Sequence, residues 1–267
     1  MSHETLLGLA RDTAHEAADL IRELRPEGRV DVAATKTSPT DAVTEVDTAA
    51  ERLIRERIGA ARPDDGFVGE EGGLQPGTSG VDWVIDPIDG TVNFVYGVPA
   101  YAVSIGVEVD GVVQAGVVVD VPLRTEYTAL RGEGAWRRDP SGGPAVAMQA
   151  PVASDLTHAL VATGFGYDPE QRARQAKALA EMLSRVRDIR RVGSAALDLC
   201  ALAAGRVDAY VEEGLQPWDR AAGVLIAREA GVVVTGRHAD EPDESLVVAA
   251  GPALFEQFRA LVVECGF

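Results

Sequence analysis

Trp83-Val84-Ile85-Asp86-Pro87-Ile88-Asp89-Gly90-Thr91 is the stretch whose reading decides the fold. The apolar run Val81–Ile85 ends on Asp86-Pro87, a pair that a helix interior would not tolerate. A short strand over 81–85 that runs out into a turn is therefore expected. Pro87 and Gly90 should bend the chain so that Asp86 and Asp89 converge on one point. Carboxylate oxygens held in that way suit Mg²⁺, which takes near-octahedral oxygen coordination and keeps several waters. Gly90-Thr91 could then open a short helix whose free N–H groups face an anion such as phosphate. The same spacing also serves an Asx-turn in which both aspartates cap backbone.

Outward toward the N-terminus, residues 4–24 have helical periodicity through Leu6, Leu9, Thr13, Ala17, Leu20, Ile21 and Leu24, and Pro26 and Gly28 stop it. Lys36 to Asp41 reads as a loop, and a second helix is expected over roughly 44–59. Outward toward the C-terminus, Ala102–Val109 and Val112–Val119 flank Asp110-Gly111, a strong hairpin signal, and Glu126–Leu130 is a further strand. The breaker cluster Asp139-Pro140-Ser141-Gly142-Gly143-Pro144 marks the best boundary. Beyond it, strands near 159–163, 187–192, 207–211, 232–235 and 245–249 alternate with helices near 169–185, 194–204, 218–230 and 252–263. The expected organisation is an α+β subdomain over 1–145 followed by an α/β subdomain over 146–267.

The composition bounds the partners. The chain has 267 residues, and 25 Lys+Arg against 42 Asp+Glu give a net charge of −17. That balance argues against a broad nucleic-acid footprint or a polybasic membrane patch, though not against metal cations. No run of ~18 apolar residues is present, so no membrane-spanning helix is expected. The start, Met1-Ser2-His3-Glu4, lacks the pattern of a signal peptide, and two cysteines, Cys200 and Cys265, make no disulfide framework. A reduced cytoplasmic protein is the expectation.

Further acidic motifs stand at Gly69-Glu70-Glu71-Gly72-Gly73, Asp41-x-x-Thr44-x-x-Asp47 and Trp218-Asp219-Arg220-Ala221-Ala222. Each has a plain structural reading: a solvated glycine turn, a helix N-cap, and a carboxylate favoured by a helix dipole. Taken with Trp83-x-x-Asp86-Pro87-Ile88-Asp89-Gly90-Thr91-x-Asn93-Phe94, they resemble the inositol monophosphatase family in order and spacing, from Lys36 to about Ala249.

That resemblance implies a layered α+β and α/β fold, the five-layer α-β-α-β-α sandwich of the sugar phosphatases, usually as a homodimer. It implies a Mg²⁺-dependent, lithium-sensitive phosphate monoester hydrolase. By the same resemblance, Glu70, Asp86, Asp89 and Asp219 match the metal carboxylates, and Ile88 the position that lends its carbonyl. Two or three Mg²⁺ ions would be held, with Asp86 bridging two of them about 4 Å apart. Asp47 and Thr91, with Glu70, match the residues that orient and deprotonate the attacking water. The Gly90 and Thr91 N–H groups match the phosphate cradle; Glu212 matches a position holding substrate hydroxyls; Ser194 and Ala195 match the sugar-pocket lining, where Asp89 and Asp219 also reach substrate.

Physical chemistry agrees with the implied assignment. A phosphate monoester dianion would be repelled by carboxylates alone, whereas bound Mg²⁺ inverts the local sign. Asn93-Phe94 resembles the inositol-phosphatase and fructose-bisphosphatase-like branch, so inositol-1-phosphate or a similar sugar phosphate is the expected small-molecule partner. Fructose bisphosphate, histidinol phosphate and the 3′-phosphate of adenosine bisphosphates remain alternatives, as does a non-catalytic binding or regulatory role.

Other features tempt less. Lys36 reads as a loop lysine or a rim contact of the site. Gly164-Phe165-Gly166 reads as a strand-to-loop bend in preference to a dinucleotide fingerprint. The basic run from Arg172 to Arg191 reads as a solvated face with strand ends.

Overall fold

The computed structural model describes residues 2–26, 28–35 and 42–267; Lys36 and Asp41 lie outside the described residues. Helix α1 (His3–Leu24) begins where the Ser2 hydroxyl accepts from the Thr5 N–H, and it buries Leu6, Ala10, Ala14, Ala17 and Ile21 along one stripe. The two-residue strands β1 (Ala34–Thr35) and β2 (Ala42–Val43) lead into α2 (Glu45–Ala61). That helix opens on a capping box: the Thr44 hydroxyl accepts from the Val46 and Asp47 N–H groups, and Asp47 accepts from the Thr44 N–H.

Both helices cover one face of an eight-stranded sheet. Its members are β3 (Gly66–Gly69), β4 (Gly73–Gln75), β5 (Val81–Asp89), then after the short helix α3 (Thr91–Tyr96), β6 (Ala102–Val109), β7 (Val112–Asp120), β8 (Thr125–Leu130), β9 (Ala135–Arg138) and β10 (Val146–Ala147). They lie in the order β10-β9-β8-β7-β6-β5-β3-β4, antiparallel throughout except for the β3–β5 pair. A five-stranded sheet follows, from β11 (Leu160–Thr163), β12 (Asp188–Arg190), β13 (Ala209–Glu212), β14 (Val233–Thr235) and β15 (Val247–Ala250). Its order is β12-β11-β13-β15-β14, with β15 antiparallel to both neighbours. Helices α4 (Pro169–Leu183), α5 (Ala195–Ala203), α6 (Pro217–Glu229) and α7 (Phe255–Cys265) complete the chain.

The period-two alternation of the strands sorts these elements into layers. Val103, Ile105, Val117 and Val119 pack on α1 and α2, whereas Ala102 and Val118 point the other way, onto Ala196, Ala222 and Ile226 of α5 and α6. In the second sheet, Ala162, Tyr210, Val247 and Ala249 meet the opposite side of α5 and α6, while Val161, Val211 and Val248 pack on α4 and α7. The result is the expected five-layer sandwich, α1/α2, sheet, α5/α6, sheet, α4/α7. No described helix is long and apolar enough to cross a membrane.

One close approach positions the middle layer. Gly106 and Gly116 pair across β6 and β7 beneath α6. A methyl group at Gly106 would stand 2.9 Å from Ala221 Cβ, and one at Gly116 would stand 3.0 Å from the Ala222 carbonyl oxygen. Helix α6 therefore lies directly on the sheet, which brings its first turn to the end of β5.

One sequence expectation changes. The strand expected over 81–85 runs on to Asp89, because its register against β6 shifts between Asp86 and Asp89. This bulge takes Pro87, which has no N–H, out of the hydrogen-bonded ladder. The short strands β4, β9 and β10 had no legible alternation, and β10 adds Val146 and Ala147 to the first sheet by pairing with β9.

Candidate functional site

Asp86 and Asp89 leave the bulged end of β5, and Asp219 sits in the first turn of α6; the three offer oxygens within 4.8 Å of one another. Each is fixed by hydrogen bonds, local for Asp86 and Asp219 and long-range for Asp89. Asp86 Oδ1 accepts from the Ile88 N–H at 3.0 Å. Asp89 Oδ2 accepts from the Ser194 hydroxyl at 2.6 Å and the Ala196 N–H at 2.7 Å, at the start of α5. Asp219 Oδ2 accepts from the Gln216 N–H at 2.7 Å. The Asx-turn reading of the sequence holds for Asp86 but not for Asp89, which caps α5 instead, and these bonds aim the carboxylates at one centre.

Glu70 hydrogen-bonds with Asp86 and completes the acidic wall. Its own placement depends on a residue that no sequence motif revealed. Glu51, buried on α2, accepts from the Glu71 N–H at 2.7 Å and the Gly72 N–H at 3.0 Å, so it clamps the turn that presents Glu70. Arg55 balances Glu51 at 2.7 Å.

Burial and mutual repulsion leave these carboxylates poorly compensated. Burial first, then the charges of Glu70, Asp89 and Asp219, push Asp86 well above the usual carboxylate range. Asp219 is raised well above it by burial, then by Asp89 and Glu70. Asp89 is pushed up to about 6 by burial, against the hydrogen bonds from Ser194 and the α5 backbone. An all-oxygen donor set of converging, under-neutralised carboxylates fits a hard divalent cation such as Mg²⁺.

Across from the aspartates, Thr91 Oγ1 donates to Asp47 Oδ1 at 2.9 Å, with the Ile88 carbonyl a second acceptor at 3.0 Å. Asp47 Oδ2 is held by the Thr44 N–H and hydroxyl. Burial raises the Asp47 carboxyl, and the bonds from Thr44 and Thr91 oppose the rise. Gly90 caps α3 at φ 97, and a side chain there would stand 3.0 Å from the carbonyls of Ala100 and Gly193. Among the described residues no side chain caps this end of α3, whose first-turn N–H groups are the kind that bind an anion.

Glu70, Asp86, Ile88, Asp89, Gly90, Thr91 and Asp219 line one cleft of about 560 Å³, which also takes in Ser194, Ala195, Glu212, Trp218 and Arg191. Ser194 is committed through its hydroxyl to Asp89. Glu212, at the end of β13, accepts from the Tyr210 hydroxyl at 2.7 Å, and burial pushes it up to about 7. Sequence reads Arg191 as a solvated strand end, yet its positive field opposes the rise of Asp89, Glu212 and Asp198. Its place just ahead of Gly193-Ser194 was the available signal. Asp198 carried none; it is buried on α5 and pushed up to about 8, by burial and then by Glu212 and Asp89.

Comparison with known proteins accords with this geometry. The model of the inositol monophosphatase family matches residues 2–266. An inositol-1-monophosphatase SuhB of Mycobacterium tuberculosis (strain H37Rv) is 48% identical over 96% of this chain and 92% of its own. The Nus factor SuhB of Escherichia coli K12 is 41% identical over 87% of this chain and 86% of its own. Among solved structures, Mycobacterium tuberculosis SuhB superposes with a TM-score of 0.84 at 46% identity, covering 98% of this chain and 97% of that one. The Thermotoga maritima IMPase gives 0.86 at 32% identity, covering 98% of each. The five-layer sandwich is the fold that these solved structures share with this chain. The chain belongs to the inositol monophosphatase family.

Proposed function

We propose that this protein is a Mg²⁺-dependent phosphate monoester hydrolase acting on inositol-1-phosphate or a similar sugar phosphate. The observation that carries the reading is the convergence of Asp86, Asp89 and Asp219 within 4.8 Å, beside Glu70 and the buried Asp47–Thr91 pair. Glu70, Asp86, Asp89, Asp219 and the Ile88 carbonyl would hold two or three Mg²⁺ ions. When bound, these supply charge neutralisation for the phosphate and acidify water.

The chain's own groups do the rest. By donating to Asp47, the Thr91 hydroxyl turns its lone pairs outward, where they accept from a water and orient it toward phosphorus. Asp47, held by Thr44, is the proton acceptor behind Thr91. The N–H groups of Gly90 and Thr91 receive the phosphate oxygens. Glu212, braced by Tyr210, accepts from hydroxyls of the leaving polyol, and Ser194 and Ala195 shape the wall beneath it. Asp89 and Asp219 reach the same substrate from the metal side. No protein nucleophile is needed. The reading includes a homodimer in a reduced cytoplasm, where the buried thiols of Cys200 and Cys265 stay free.

A second reading is a binding or regulatory role, favoured by the relatives named Nus factor at about 41% identity. Phosphate release from inositol-1-phosphate, fructose-1,6-bisphosphate, histidinol phosphate and 3′-phosphoadenosine-5′-phosphate separates the two. Each substrate is run with Mg²⁺, with chelator and with lithium. Mg²⁺-dependent release that peaks on inositol-1-phosphate supports the first reading, a peak on another substrate moves the branch, and none from a folded, metal-loaded protein leaves the second.

A further inference from the structure

Gly164-Phe165-Gly166, read from sequence as a bend, leaves β11 and lines the same cleft through Phe165 and Gly166. Each glycine is pressed by a polar side chain from another element. A methyl group on Gly164 would fall inside the Glu212 carboxylate, and one on Gly166 would overlap the Gln171 amide oxygen. Neither glycine has a positive φ, so the requirement for glycine is one of space. Gln171 stands on the first turn of α4, where its N–H donates to Asp168. Among the described residues, no protein group is hydrogen-bonded to its side-chain amide, which faces the cleft with Gly214 on its far side.

The wall is rigid. The Gly166 N–H donates to Gln175 Oε1 at 3.1 Å, and Gln175 Nε2 donates to Glu213 Oε2 at 3.1 Å. Glu213 is buried between Arg174, at 2.7 Å, and Arg237. Adjacent glutamates thus divide their work: Glu213 is neutralised by two arginines and anchors β13 to α4, while Glu212 keeps an oxygen for the cleft. A carboxylate and a carboxamide on neighbouring seats read different donors and acceptors, which is the chemistry needed to recognise two hydroxyls of one polyol.

We propose that Gly164-Phe165-Gly166 is the specificity wall of the leaving-group pocket, in which Gly164 seats Glu212 and Gly166 seats Gln171 as a second reader of substrate hydroxyls. This rests on the phosphatase reading above and names a selector within it. Gln171 would touch substrate; Gly164 and Gly166 are positioning residues.

The test is the ratio of kcat/KM for inositol-1-phosphate to that for p-nitrophenyl phosphate, which has no hydroxyls, measured with Mg²⁺. Gln171→Ala should lower the ratio about tenfold, mainly through KM for the polyol phosphate, the size expected for one lost hydrogen bond. Gly166→Ala displaces only the end of a flexible side chain, so it should fold, reproduce that fall, and add nothing in the double variant. Gly164→Ala should likewise reproduce Glu212→Ala. A ratio within about twofold of wild type in Gln171→Ala, or additive losses in the double variant, would overturn the wall. A wild-type protein that cleaves both esters with equal efficiency overturns the wall and leaves the phosphatase reading standing. A folded wild type that cleaves neither ester with Mg²⁺ overturns both.

Discussion

Thr91 and Asp47, 44 positions apart, meet at 2.9 Å with both side chains buried. The hydroxyl needs the carboxylate as acceptor, and the carboxylate needs Thr44 and Thr91 to hold its charge. Thr91→Ala and Asp47→Asn should each lower kcat by about 10²–10⁴, with smaller effects on KM. The double variant should be no worse than the weaker single variant, and Thr91→Ser should recover most of the rate. Steady-state kinetics on inositol-1-phosphate would show this; independent, multiplying effects would mean that the two residues do not act as a unit.

The Gly106–Gly116 pair beneath α6 makes a prediction about a residue remote from the chemistry. Gly106→Ala places a methyl 2.9 Å from Ala221 Cβ, close to Asp219 in the chain, so α6 must lift. A cost of about 1–3 kcal/mol in stability is expected, with weaker apparent Mg²⁺ affinity. Denaturant titration and Mg²⁺-dependent activity measure the two effects. Lost stability at unchanged Mg²⁺ affinity would show that α6 shifts without carrying Asp219.

How much of this was legible in the sequence follows from the range of each interaction. Asp86, Asp89 and Asp219 are set by bonds within a few residues, to Ile88 and Gln216, or by a helix start at Ser194, and local motifs reveal such bonds. Glu51 and Asp198 act on the site from helix faces, one through the Glu71 and Gly72 N–H groups and the other through its charge, and one acidic residue on a helix looks like any other until the helices are packed. Arg191 was hidden among basic neighbours that pair with acids elsewhere, as Arg185 does with Glu264. The β5 bulge was missed because proline forbids a regular ladder, whereas a bulge admits it.

Glu51 is the test of that hidden support. Glu51→Ala frees the Glu71 and Gly72 N–H groups and loosens the turn carrying Glu70. Apparent Mg²⁺ affinity should fall about 10–100-fold, as for other outer partners of metal ligands. Calorimetric Mg²⁺ titration reads it, and wild-type affinity would remove Glu51 from the account.

The buried acids fix a pH dependence. Asp89, Glu212 and Asp198 are pushed up to about 6, 7 and 8, from ordinary values of 3.8, 4.5 and 3.8. Between those limits the folded chain binds more protons than the unfolded one, so stability falls as pH rises from about 4 to about 8. Asp65 and Glu126 are lowered by their hydrogen bonds to Arg62 and His15 and work oppositely, their contribution being lost as pH falls below about 4. In chelator the unfolding midpoint should therefore peak near pH 4 and decline toward pH 8, and Mg²⁺ should flatten that decline. A midpoint that rises from pH 5 to 8 in chelator would contradict the electrostatic description.

If the acidic cluster holds divalent cations for phosphate ester hydrolysis, as proposed above, Asp86→Asn should remove the reaction and spare the fold. Asparagine keeps the shape of the side chain and removes a charge that burial and three neighbouring carboxylates disfavour. Phosphate release from inositol-1-phosphate with Mg²⁺ should vanish, while the unfolding midpoint in chelator stays equal to wild type or rises. Near wild-type, Mg²⁺-dependent release from a folded Asp86→Asn protein would mean that the cluster holds no cation needed for the reaction.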